Sequence, residues 1–238
     1  MKCNFKIFRL NPLKDREPHY QEYSVEADPK DRILDCLNKI RWEQDPSLAF
    51  RWSCEHGVCG SDALKINGVC ALACQKLVKD YQSSSFLIEP IPVFPVVKDL
   101  VVDMEHFFEM YHSVKPYLIN PDEPSTERIQ APEERRLIED TIKCISCACC
   151  TASCPINISV NKNYVGPAAL VKAHRYIHDS RDRATLERLT FLDTNDGAWG
   201  CKTHFKCTEV CPKSIKVTKA IIQIKNKITE FKKSGKVK

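Results

Sequence analysis

No stretch of this sequence is long and apolar enough to span a bilayer. The richest, from Phe86 to Val97, is broken by Glu89 and three prolines. The N-terminus carries neither an apolar signal segment nor an Arg-rich, acid-poor transit segment. These absences exclude an integral membrane protein and predict a cytosolic polypeptide whose membrane contact must come through a partner. Charge of one sign is also scarce. Lys and Arg total 36 against 31 Asp and Glu, a net of +5, and no stretch gathers the surplus into a basic face. That gives no argument for nucleic acid, and none is expected as a partner. The one local excess, Lys225, Lys227, Lys232, Lys233, Lys236 and Lys238, reads as a solvated helix end in preference to a tail near anionic lipid or an acidic partner. No acid/base constellation argues for substrate chemistry on this chain.

Cysteine, by contrast, is abundant: 14 in 238 residues. Disulfides are disfavoured by the missing secretory signal and by the crowding of Cys147, Cys149, Cys150 and Cys154. Metal or iron–sulfur ligation remains. Cys3 and Cys36 lie on apolar faces and read as small core residues.

The chain changes character along its length. Cys3, Phe5 and Ile7 alternate with polar neighbours, as do Tyr23 and Val25, which predicts a hairpin around the polar loop near Asn11–Glu17. Ile33, Leu34, Leu37 and Ile40 are spaced for one helix face. Short strands are expected at Leu64–Ile66 and Phe86–Ile88. Pro90, Pro92 and Pro95 predict a stiff extended connection and a domain boundary. Helices are expected beyond it over Val101–Tyr117, Pro132–Thr141, Ala168–Ser180, Ala184–Leu189 and Lys216–Phe231. The expected domains are 1–97, α/β, and 98–238, all-α.

Three ligand frames stand on this scaffold. Cys54, Cys59 and Asp62 have the C-x4-C-x2-C spacing of a plant-type 2Fe–2S ferredoxin, with carboxylate in the third place and Cys70 or Cys74 available as the fourth ligand. Two bridged irons need four anionic ligands near one point, and a carboxylate can ligate ferric iron. Gly57 and Gly60 allow the loop to curl and bring backbone N–H groups to the sulfurs. Cys144, Cys147, Cys150 and Cys154-Pro155 fit C-x2-C-x2-C-x3-C-P, and the spacing recurs at Cys201, His204, Cys207 and Cys211-Pro212. In this doubled pattern the fourth Cys of each run serves the other run's cluster. The crossing gives a 4Fe–4S set of Cys144, Cys147, Cys150 and Cys211. It leaves Cys154, Cys201 and Cys207, with His204 where a fourth thiolate would stand. Three thiolates suit a 3Fe–4S cluster; His204 as fourth ligand of a 4Fe–4S cluster is the alternative. Cys149 is out of phase and reads as a packed or sulfur-adjacent thiol.

This order of frames resembles the iron–sulfur subunit of succinate:quinone oxidoreductases, the succinate dehydrogenases and fumarate reductases. The resemblance covers nearly the whole chain, including RWSCEHGVCGSDALKING from Arg51, KDLVVDMEHF from Lys98, CISCACCTASCP from Cys144, GPAALVKAHRYIHDSRD from Gly166 and CTEVCPK from Cys207. It implies an α+β chain: an N-terminal β-grasp, plant-type ferredoxin-like domain, then an all-α C-terminal helical ferredoxin domain. It implies Cys74 rather than Cys70, accommodates Asp at position 62, and favours the 3Fe–4S form. It further implies an FAD-bearing flavoprotein partner, cytochrome b-type membrane-anchor subunits, and a peripheral place on the cytoplasmic face of a bacterial inner membrane. Electrons would pass between FAD and a quinone through the three clusters. The quinone end departs from ubiquinone-using members. Ile156, Asn157, Ile158 and Ser159 bring no Trp after Cys154-Pro155, and Lys202 stands where a His usually follows the Cys matching Cys201. NKNYVGPAA is more similar to menaquinone-using fumarate reductases, so menaquinone is expected, with Pro155, Lys202 and His204 near its head group. Thiol-dependent fumarate reductases and glycolate-oxidase-type subunits share such frames, but commonly add Cys-Cys-Gly repeats, and none follows Pro212. A freely diffusing polyferredoxin is the third reading.

Overall fold

The computed structural model describes residues 1–157 and 159–235; Ile158, Lys236 and Lys238, named above, lie outside the described residues. Strands β1 (Lys2–Arg9) and β2 (His19–Glu26) pair antiparallel around the polar loop, in a register that sets Phe5 opposite Tyr23. β3 (Ala63–Ile66) and β4 (Val69–Leu72) form a second hairpin, and β5 (Ser85–Pro90) joins the two. The mixed sheet has the order β2-β1-β5-β3-β4, with only the β1/β5 pair parallel. Alternation decides which face is buried: Cys3, Phe5, Ile7 and Arg9 point inward from β1 while Lys2, Asn4 and Lys6 do not. Helix α1 (Ile33–Lys39) lays Ile33, Leu34, Cys36 and Leu37 on that face. Phe5 stacks on Phe86 with ring centres 4.8 Å apart. Each such fully buried side chain stabilises by about 1.5–3 kcal/mol. A π-helical turn, Ile40–Gln44, ends α1.

Beyond the sheet the sequence expectations need two corrections. The helix expected over Val101–Tyr117 is α2, Glu105–Ser113. Val101 and Val102 instead form β7, paired with β6 (Val96–Lys98). The proline run is accordingly not an extended connection throughout: Pro90 closes β5, and the chain turns before β6. The β6–β7 turn carries Asp99, 1% exposed, which accepts from Arg9 Nε at 3.1 Å and from the N–H groups of Leu10 and Ala49. Arg9, itself buried, also bonds Ser47, Tyr23 and Asp45. A buried pair of this kind is costly to break from one side, about 3–5 kcal/mol. One compact unit accordingly comprises Met1–Met104 together with Ile145–Ala152.

The other unit comprises Glu105–Cys144 and Ser153–Lys238. It holds α2, α3 (Pro132–Ile138), α5 (Gly166–Ile177), α6 (Thr185–Leu192), α7 (Lys206–Glu209) and α8 (Val217–Lys233); the short α4 (Cys149–Ala152) belongs to the first unit. α5 is buried on nearly every side, and Ala220, Ile221, Ile224 and Ile228 of α8 pack beside it. Pro132 takes the first turn of α3. Arg188, 2% exposed, pairs with Asp182 at 2.7 Å and donates to the carbonyls of Val114, Lys115 and Tyr117, fastening the segment after α2. Among the described residues no helix is long and apolar enough to cross a membrane.

Candidate metal centres

The loop before β3 is shaped around sulfur. Glu55, Gly57 and Gly60 adopt positive φ, of 60°, 73° and 74°. These reversals turn the N–H groups of His56, Cys59 and Val58 toward Cys54 Sγ, with the last two at 3.2 and 3.3 Å. Hydrogen bonds to the charged form favour it, so the Cys54 thiol is lowered to about 6. Cys74, just after β4, shows the opposite. Burial first, then the neighbouring Asp62, push its thiol up to about 12, while the Gly57 N–H and the nearness of Cys54 place it beside the first ligand loop. Cys70, on β4, is buried and lies within electrostatic reach of Cys149.

Asp62 is 2% exposed. Its Oδ2 accepts the Cys74 N–H at 2.6 Å, while Oδ1 is buried with no hydrogen-bond partner among the described residues. A lone buried carboxylate oxygen is expensive, and a hard cation such as ferric iron satisfies it. Soft thiols at Cys54, Cys59 and Cys74 with one carboxylate therefore fit a 2Fe–2S group. Iron binding releases thiol protons, so the burial cost at Cys74 is offset by the metal's charge.

Gly60 has a second reason to be glycine. A Cβ there would stand 2.8 Å from Cys147 Cβ and 3.1 Å from Ile145 O. The first ligand loop and the loop bearing Cys147 are thus in backbone contact, a closeness that sequence spacing does not report.

The two later runs share one backbone pattern. Ser146 and Ala148 have φ of 56° and 63°; Thr203 and Phe205, at the matching places, have 60° and 63°. Left-handed residues thus stand on either side of Cys147, and likewise of His204, an alternation of backbone conformation that can turn successive N–H groups to one side. A 3-10 turn precedes each run, at Thr141–Lys143 and Ala198–Gly200. A lysine ammonium reaches the first carbonyl of each: Lys172 to Cys144 O at 3.1 Å, and Lys225 to Cys201 O at 2.8 Å. The basic tail is therefore not only a solvated helix end; besides Lys225, Lys232 pairs with Asp193 at 2.6 Å. Neither lysine was legible as a site residue, because a lysine on a helix is read first as solvated surface.

Cys154, Cys201 and Cys207 line one small cavity, closed by Tyr164, Thr218 and Ile221, with Pro155, Lys202 and His204 on its wall. Burial raises the Cys154 thiol to about 11 and also raises Cys207, whose sulfur lies 3.5 Å from the Thr218 hydroxyl. The three thiols and the histidine thus border one space, a donor set that fits an iron–sulfur group. Cys149 is fully buried and its thiol donates to the Cys147 sulfur, so it stays protonated while Cys147 is lowered. Among the described residues, no three of these side chains are grouped as ligands of a single metal ion; the comparison is with polynuclear clusters.

A five-stranded mixed sheet carrying a Cys-rich loop, followed by helices bearing a doubled Cys frame, defines an iron–sulfur electron-transfer protein. The chain matches the family model described as a 2Fe-2S iron-sulfur cluster binding domain over residues 4–109, and that of a 4Fe-4S dicluster domain over residues 140–215. It is 41% identical over 234 residues to the succinate dehydrogenase iron-sulfur subunit of Coxiella burnetii, covering 97% of this chain and 99% of that one. It is 41% identical over 228 residues to the mitochondrial succinate dehydrogenase [ubiquinone] iron-sulfur subunit of Candida glabrata, covering 94% and 90%. It is 37% identical over 233 residues to the fumarate reductase iron-sulfur subunit of Haemophilus influenzae, covering 92% and 90%. A chain of the Mycobacterium smegmatis Sdh1 complex in the apo form superposes with a TM-score of 0.86 at 26% identity, covering 96% of each chain. The chain belongs to the iron–sulfur subunits of succinate dehydrogenase and fumarate reductase. It is the electron-transfer part of an oxidoreductase complex, with a ferredoxin-like 2Fe–2S domain first and a helical 4Fe–4S domain second.

Proposed function

We propose that this subunit relays single electrons between the FAD of a flavoprotein partner and a quinone through a 2Fe–2S, a 4Fe–4S and a 3Fe–4S cluster in that order. When bound, the clusters supply one-electron carriers; the chain's own residues hold them, shape their surroundings and keep water away. Cys54, Cys59, Asp62 and Cys74 hold the first; Cys144, Cys147, Cys150 and Cys211 the second; Cys154, Cys201 and Cys207 the third. The contact of Gly60 with Cys147 carries the reading, because it ties the first ligand loop to a ligand of the second set. The domains are taken as 1–97 and 98–238, and the dicarboxylate chemistry resides on the flavoprotein. Membrane-anchor subunits of the cytochrome b type hold the chain peripherally on the cytoplasmic face of a bacterial inner membrane.

At the far end, Pro155, Lys202 and His204 stand on the cavity that the third thiol set lines, which supports their placement near the quinone head group. No Trp follows Cys154-Pro155 and Lys202 replaces the usual His. These departures favour menaquinone, even though one relative carries ubiquinone in its name. Assay of the purified complex with menaquinone and ubiquinone analogues tests this. Faster turnover with menaquinone analogues is expected; equal or better use of ubiquinone overturns it. For Asp62, iron analysis and EPR of Asp62→Ala and Asp62→Cys should both move the 2Fe–2S signal. An unmoved signal in both removes it from the ligand set.

A further inference from the structure

Lys172 is out of place for a lysine. It sits in the middle of α5, only 9% exposed, flanked by buried Leu170, Val171 and Ala173. Its ammonium donates to Cys144 O at 3.1 Å and stands 5.8 Å from the centre of the Tyr111 ring. No Asp or Glu among the described residues forms an ion pair with it. A buried ammonium without a counter-charge is costly, and a carbonyl dipole and a ring face offset only part of that. A cysteinate-bound iron–sulfur cluster is net anionic in both oxidation states, and one charge more negative when reduced. A cluster ligated by Cys144 would supply the missing compensation, and would be stabilised most in its reduced form.

We propose that Lys172 is a positioning residue of the second cluster: it holds the Cys144 turn, and its fixed positive charge raises that cluster's reduction potential. The proposal rests on the reading of Cys144 as a 4Fe–4S ligand. The arrangement recurs where the ligand run recurs. Lys225 reaches Cys201 O and stands 5.6 Å from the centre of the Trp199 ring. A cation, a ligand carbonyl and an aromatic face thus come together after each 3-10 turn.

Potentiometric EPR of the purified complex carrying Lys172→Met, Lys172→Gln or Lys172→Arg tests it. Met and Gln should each weaken reduction of the second cluster by on the order of tenfold, a fall in midpoint of about 59 mV for one electron. Arg, which keeps the charge, should stay within roughly threefold of the unsubstituted chain. An unchanged midpoint in the Met variant overturns the proposal. So does a Gln variant at the original midpoint, since hydrogen bonding alone would then suffice. Loss of the cluster in the Met and Gln variants with retention in Arg supports the holding of the Cys144 turn by a cation, whereas loss in all three variants overturns the proposal, because the site would then require the lysine's shape rather than its charge. If the unsubstituted complex shows no 4Fe–4S signal, the ligand reading of Cys144 fails instead.

Discussion

The run from Cys144 to Cys154 and the run from Cys201 to Cys211 are built alike and filled differently. Both follow a 3-10 turn, both reverse the backbone on either side of the second ligand position, and both receive a lysine on the first carbonyl. Of the four spaced ligand positions only the second differs: Cys147 in one run, His204 in the other. The left-handed conformation costs non-glycine residues about 1–2 kcal/mol each, and Thr203 and Phe205 adopt it although His204 offers no thiolate. The second run thus has the backbone form of the first with a histidine where the first has its second cysteine. In the proposed ligand assignment, cluster type turns on this one position.

The crossing of ligands is the part of that comparison easiest to break. Cys211→Ser should abolish the EPR signal of the second cluster and spare the third, and Cys154→Ser should do the reverse. If each change removes the cluster of its own run, the ligands are not crossed. Erasing the difference between the runs comes next. His204→Cys should convert most of the third site to a four-iron cluster, so that its oxidised-state signal falls several-fold and iron content rises. Gly60→Ala sharpens the comparison from one side only, since a methyl there collides with the Cys147 loop and also meets φ of +74°. A loss of about 2–4 kcal/mol is expected from strain and overpacking, read as a lower melting temperature, with the first two clusters perturbed and the third intact. The smallest effect belongs to Thr218→Val, which removes the hydroxyl 3.5 Å from Cys207 Sγ. The third cluster's reduction equilibrium should weaken by about threefold, roughly 30 mV for one electron, in potentiometric titration.

Much of this was legible in the sequence, because iron–sulfur ligation fixes residue type and spacing. The frames, the hairpin around Asn11–Glu17, the helix from Ile33 and the α/β-then-α order needed only periodicity and cysteine arithmetic. The miss at Val101–Tyr117 has a physical cause. Val101 and Val102 are β-branched and pair with β6, an arrangement held by Asp99, whose value depends on Arg9 some ninety residues earlier in the chain. The roles of Lys172 and Lys225 are likewise set by tertiary surroundings. A lysine's role depends on whether its surroundings exclude water, and helical periodicity alone placed these two on ordinary helices. Gly60 was read as a turn residue, whereas its contact with Cys147 is tertiary.

EPR of the air-oxidised, purified complex tests the central claim most directly. With His204 in place of a thiolate, the third site should show the paramagnetic signal of an oxidised 3Fe–4S cluster, at about one spin per chain. An EPR-silent oxidised complex, whose third signal develops only on reduction, would contradict the account and make His204 a ligand of a four-iron cluster.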